Sequence, residues 1–107
     1  HKHLPTVIFD EIDTGISGAI ADKTGEIIAE LAKHLQVINI THLPQIASKG
    51  ETHFFVYKKE SDQTTSTQIR KLTPDERIDE IAKMISGSNI SEAAKEQAKV
   101  LLSRTAH

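Results

Sequence analysis

Thr6-Val7-Ile8-Phe9-Asp10-Glu11 decides the fold of this chain: four β-branched or apolar residues in a row, then two adjacent carboxylates. A strand with one wet face alternates between apolar and polar residues. An unbroken run of this kind reads instead as a strand buried on both faces of a parallel sheet. A second run with the same grammar, Gln36-Val37-Ile38-Asn39-Ile40, ends in Thr41-His42. Between them the spacing predicts a helix from about Ile16 to His34, with Ile16, Ile20, Ile27, Leu31 and Leu35 along one apolar face. Strand, helix and strand in succession make a βαβ unit, and the fold class is α/β.

Beyond this unit, a short helical turn is expected over Gln45 to Ser48. Two strands follow, His53 to Lys58 and Thr65 to Leu72, joined by the polar loop Glu60-Ser61-Asp62-Gln63. Because the second of these is polar and Thr-rich, the pair is expected as an antiparallel hairpin at the edge of the sheet. Thr73-Pro74-Asp75-Glu76 has the order of a helix start, with Thr as N-cap, Pro at the first helical position and Glu placed to close a capping box. Ile78, Ile81, Ala82 and Ile85 give that helix its apolar face, and Gly87 ends it. A last helix from about Ser91 to Arg104 buries Ala94, Ala98, Leu101 and Leu102. The architecture is a short parallel βαβ core with an edge hairpin and two C-terminal helices.

At 107 residues the chain has the size of one small domain or of part of a larger one, so a single segment, 1–107, is expected. Its entry into a strand at Pro5-Thr6 with nothing leading in suggests an excised segment. Hydrophobic residues at 37% and charged residues at 26% mark an ordinary folded chain. A formal charge of -2 gives no strong field for phosphate backbones or anionic membranes. Cysteine is absent, which removes disulfide scaffolds and thiolate metal sites. No apolar run approaches a membrane-spanning length and no signal-type region follows the basic start, so no membrane partner and a cytoplasmic location are expected.

The chemistry gathers at the ends of the first two strands. In α/β proteins the carboxyl edge of the sheet is where ligand sites are built. Phosphoryl transfer there needs one carboxylate to hold the shell of a magnesium ion and another to orient or deprotonate the attacking water. Asp10 suits the first task and Glu11 the second. His42, at the end of the neighbouring strand, falls on the same edge, within reach of a terminal phosphate. Taken singly, two acids after a strand are equally a solvated loop, and one His after a strand is commonly structural; the argument rests on their joint occurrence. Asp13-Thr14-Gly15-Ile16-Ser17-Gly18 is either a turn with an N-cap or a loop made for close backbone approach to another subunit's nucleotide. His1, His3, His34, His53 and His107 show no paired ligand spacing, and no zinc site is assigned. Lys58, Lys59 and the acids from Asp75 to Glu80 read as solvated faces.

Phe9-Asp10-Glu11-Ile12-Asp13-Thr14-Gly15-Ile16-Ser17-Gly18, followed by Ile40-Thr41-His42-Leu43-Pro44-Gln45-Ile46-Ala47, closely resembles the RecN family of bacterial SMC-like ABC ATPases. The resemblance extends over essentially the whole chain. It implies a partial P-loop NTPase lobe, the C-terminal portion of an ATPase head. It further implies that Asp10 is the Walker B aspartate holding Mg2+, generally through water, that Glu11 activates the hydrolytic water, and that His42 is the switch histidine at the γ-phosphate. Asp13, Gly15 and Ser17 then lie in the D-loop, which crosses to a partner head when two heads close on ATP. The implied partners are the chain's own N-terminal head half, a second copy in a homodimer, and DNA, in recombinational repair of double-strand breaks; the implied location is nucleoid-associated.

Three departures from the family's full pattern matter. The sequence holds no G-x-x-x-x-G-K-[ST] loop, no Leu-Ser-Gly-Gly signature and no sustained heptads. Without the phosphate cradle, the isolated segment is expected to bind ATP poorly and to hydrolyse it negligibly. Two other readings stay open at the level of sequence. Asp10-Glu11-Ile12-Asp13 also fits the D-E-x-D box of helicases, although those place a Ser/Thr-rich motif where this chain has Thr41-His42. A regulatory or dimerisation module with an ATPase-like fold is the other.

Overall fold

The computed structural model describes residues 5–11, 15–16 and 18–104. Strand β1, Thr6–Asp10, and strand β2, Gln36–Ile40, pair in parallel with Thr6 opposite Gln36 and Asp10 opposite Ile40. Helix α1, Gly18–Leu31, makes the crossover between them. Backbone bonds extend the pairing at both ends: Gln36 N donates to Pro5 O at 2.9 Å, and Glu11 N to Ile40 O at 2.8 Å.

The expectation that β1 is buried on both faces is corrected. Val7, Phe9 and Val37 are half-buried, whereas Ile8, Ile38 and Ile40 on the other face are exposed. The described residues cover one side of the pair only. The apolar face assigned to α1 is corrected as well. Ile20 and Ile27 are 64% and 62% exposed, and the helix buries Ala21 and Gly25 instead. Its contact is with α2, Pro44–Ala47, through its smallest residues. A Cβ at Gly25 would lie 2.9 Å from Gln45 O, so only glycine lets the two backbones approach so closely.

Strands β3, Phe54–Ser61, and β4, Thr64–Lys71, form the expected antiparallel hairpin, with Val56 opposite Ile69. The strands run longer than the sequence suggested, because Glu60 and Ser61 pair with Thr65 and Thr64 and leave only Asp62-Gln63 as the turn. Asp62 takes φ 49, the left-handed setting that Asp tolerates better than most residues at a tight turn. The hairpin is a two-stranded sheet of its own rather than an edge of the β1-β2 pair, since no described strand joins the two. Phe55 and Tyr57 stack at 5.8 Å on one face, while Phe54, Val56 and Ile69 are exposed on the other.

Helix α3, Pro74–Ser86, starts as its sequence dictates. Glu76 N donates to Thr73 Oγ1 at 3.2 Å, and Thr73 N donates to Glu76 Oε1 at 3.0 Å, a complete capping box. Gly87, at φ 83, ends it. Helix α4, Glu92–Ser103, is capped by Ser91, whose Oγ accepts from Ala94 N at 3.0 Å. Ile81 and Ala82 of α3 meet Ala94, Ala98 and Leu101 of α4 in the core, with Ala47 of α2 packed against them. Complete burial of Ile81 alone contributes about 2 kcal/mol. The centre of mass of the packing is thus in the helices, and the parallel pair stands at the margin. No helix among the described residues is long and apolar enough to cross a membrane.

Candidate functional site

Parallel pairing puts the ends of β1 and β2 on one rim. Asp10 is the last residue of β1 and is exposed opposite Ile40. Glu11 follows it with φ 52, a left-handed setting unusual for a residue bearing a side chain, held there by its bond to Ile40 O. From this position Glu11 Oε1 stands 3.7 Å from His42 Nδ1. The separation is beyond hydrogen-bond range, so these are neighbours across a gap rather than a bonded pair. Their side chains are 56% and 61% exposed, and an ion pair that open to water is worth little. The left-handed backbone at Glu11 carries about 1–2 kcal/mol of strain.

Thr41 and Leu43 set the chain's path past the rim. Leu43 N donates to Thr41 Oγ1 at 3.1 Å, turning the backbone from β2 into α2 across His42. Leu43 is the N-cap and Pro44 occupies the first turn, where its missing N–H is no loss.

The sequence-predicted residues fall into two groups. Asp10, Glu11 and His42 are brought together at the rim. Of the loop residues, Gly15 is exposed with φ 86 and nothing within 4 Å of where a Cβ would stand, so the backbone angle alone calls for glycine. Asp13 and Ser17 lie outside the described residues.

Among the described residues no group of three or more ligating side chains converges as a metal cage. Magnesium does not ask for one, since it is generally held by one or two carboxylates together with phosphate oxygens and water. Asp10, a hard oxygen donor on an open rim, fits that requirement. A groove of about 540 Å3 lies elsewhere, lined by Gly18, Asp22, Pro44, Met84, Leu101 and Arg104. None of Asp10, Glu11 and His42 lines it.

Two residues escaped the sequence reading. His53, set aside there, is half-buried, and burial, with Arg77 nearby as the lesser cause, pushes its pKa down from 6.5. Arg77 sits within the run read as a solvated face, and no local signal marks it; its partners, 27 to 30 residues away, are backbone carbonyls. Gly25 did carry a signal, because an isolated glycine inside a helical pattern commonly marks close packing.

No protein-family model matches the chain. It is similar to the DNA repair protein RecN of Halalkalibacterium halodurans, 43% identical over 102 residues, which is 95% of this chain and 18% of that protein. RecN of Rickettsia conorii is 46% identical over 98 residues, covering 92% of this chain and 18% of the relative. RecN of Deinococcus radiodurans is 49% identical over 98 residues, with 92% and 17% covered. The chain thus spans about a fifth of the length of these relatives. Its fold is shared with a solved structure from work on the ATP-driven dimerization and DNA-stimulated activation of SMC ATPases, at TM-score 0.60 and 18% identity over 79% of this chain and 50% of that one. With 43 to 49% identity to these RecN sequences over more than nine-tenths of its length, this chain belongs to the RecN family, as one segment of it.

Proposed function

We propose that residues 1–107 are the C-terminal portion of an ABC-type ATPase head in a RecN-like protein acting in repair and recombination of DNA double-strand breaks. The observation that carries this reading is the rim itself: Glu11 and His42 are 3.7 Å apart beside Asp10, on strand ends brought together by parallel pairing. Asp10 would hold Mg2+, which when bound supplies positive charge to the phosphate oxygens of ATP. The Glu11 carboxylate orients the attacking water and accepts its proton as the bond to phosphorus forms. His42 donates a hydrogen bond to an oxygen of the γ-phosphate. Asp13, Gly15 and Ser17 meet the nucleotide of a second head. The phosphate cradle comes from the N-terminal head half, so this segment alone turns over no ATP, and DNA engagement belongs to the full-length protein in the cytoplasm. The relatives' name and the SMC fold support this reading.

The test is Glu11→Gln in the full-length protein. ATP binding should persist while hydrolysis falls by about 100-fold or more, the usual scale for loss of a general base. Unchanged turnover with ATP bound would remove Glu11 from the role.

A further inference from the structure

His42 stands one residue before the N-cap of a four-residue helix whose own hydrogen bonds are too few to fix it. The last carbonyls of any helix find no partner inside it, and in α2 these are nearly all it has. Backbone N–H groups of Ser48, Lys49 and Gly50 reach back to Pro44, Ile46 and Ala47, and Arg77 of α3 adds a side-chain donor to the last of these carbonyls and to two just beyond the helix. Its Nη2 donates to Ala47 O at 3.1 Å, to Ser48 O at 3.4 Å and, closest of all, to Gly50 O. The guanidinium is half-buried, burial lowers its pKa from the ordinary arginine value, and Nε is buried without an acceptor among the described residues. A cation is a poor choice for such a place unless its contacts matter, because burying charge with a donor left over is unfavourable. From α1, Gly25 admits Gln45 O to a distance that leaves no room for a side chain, and Ile46 is buried. Helix α2 is thus gripped from α1 and from α3, and His42 is only two residues ahead of its first residue.

We propose that Arg77 is a positioning residue for His42: by holding the last carbonyl of α2 and those of Ser48 and Gly50 just after it, Arg77 makes that helix a fixed base, which keeps the imidazole beside Glu11. The inference rests on the reading of His42 as the γ-phosphate contact. All three bonds come from Nη2, whose position is fixed by the rigid, planar and half-buried guanidinium, whereas a lysine offers a mobile point charge.

The experiment uses the full-length protein as wild type, R77Q, R77K, H42A and H42A/R77Q, with steady-state ATP hydrolysis and equilibrium nucleotide binding measured for each. R77Q should lower kcat about tenfold, within the range that small misplacements of a catalytic group produce, while KM for ATP stays within about twofold. R77K should fall between R77Q and wild type. In the H42A background, adding R77Q should lower kcat by less than about twofold, because residues acting through one another are not additive. Full kcat in R77Q beside a slow H42A overturns the positioning role and leaves that of His42 standing. Full kcat in H42A overturns the role of His42 and the positioning role with it. A further tenfold loss in H42A/R77Q shows that Arg77 acts by another route and overturns the proposal. Should R77Q fail to fold, R77K alone and combined with H42A carry the same comparison.

Discussion

Glu11 Oε1 and His42 Nδ1 lie 3.7 Å apart across the ends of two strands whose last paired residues are Asp10 and Ile40. The distance is set by register. A slip of one residue would turn every side chain of a strand to the opposite face, so the juxtaposition depends on Ile8 pairing with Ile38 and not with a neighbour. His42→Ala should therefore act on chemistry and not on folding. Because the pair is largely exposed, stability should change by less than about 0.5 kcal/mol. ATP hydrolysis by the full-length protein should fall at least about tenfold with nucleotide binding kept, as read by turnover and titration together.

The left-handed backbone of Glu11 allows a second prediction. Glycine adopts φ 52 without the clash that a Cβ brings, but it loosens the unfolded chain. The first effect is the larger, so Glu11→Gly should raise stability by about 0.5–1 kcal/mol. Glu11→Gln, which keeps the side-chain shape, should leave stability nearly unchanged. Both should lower hydrolysis by about 100-fold or more. Urea midpoints of the two variants against wild type decide it, and a glycine variant less stable than wild type would show that the backbone there is unstrained.

The rim was readable from sequence because it needs so little: two apolar runs, a helix between them, and the rule that parallel strands end on the same edge. The start of α3 was readable for the same reason, since Thr73, Pro74 and Glu76 act within one turn. What escaped depended on distant partners. Periodicity found apolar residues on α1 but not that Ala21 and Gly25, being small, would be the face that packs. An apolar β1 announced two covered faces, and the described residues cover one. Arg77 looked like one charge among many, because its acceptors are backbone carbonyls, which carry no sequence signature.

The capping box gives a third prediction. Thr73→Ala removes the acceptor for Glu76 N and loosens the return bond from Thr73 N. The expected loss is about 1 kcal/mol, seen as a lower unfolding midpoint. Thr73→Ser keeps the hydroxyl and should restore most of it.

His53 gives a dependence on pH. Burial, and to a lesser degree Arg77, lowers its pKa in the folded chain below the 6.5 of the unfolded one. The unfolded state therefore binds the proton more readily. Stability from this group is fully present above about pH 6.5 and declines as pH falls from there toward the folded pKa. Thermal melts at pH values on either side of 6.5 should show the decline, and His53→Gln should flatten it. A decline that survives the substitution would assign it to other groups.

Gly25→Ala sets two effects of opposite sign against each other. In a helix interior, alanine is ordinarily better than glycine by about 0.5–1 kcal/mol. Here the added Cβ would meet Gln45 O at 2.9 Å, Lys49 Cγ at 3.1 Å and Ile46 Cα at 3.5 Å. The lysine stem can move, but the Gln45 carbonyl belongs to a helix also held by Arg77, so relief requires α1 and α2 to separate. Overpacking of this kind costs about 1–3 kcal/mol, more than the helix gains, and the net effect should be destabilising. Because α2 begins two residues after His42, the same shift should slow ATP hydrolysis in the full-length protein. A variant more stable than wild type would show that the α1-α2 contact gives way freely and that α2 is no fixed base for His42.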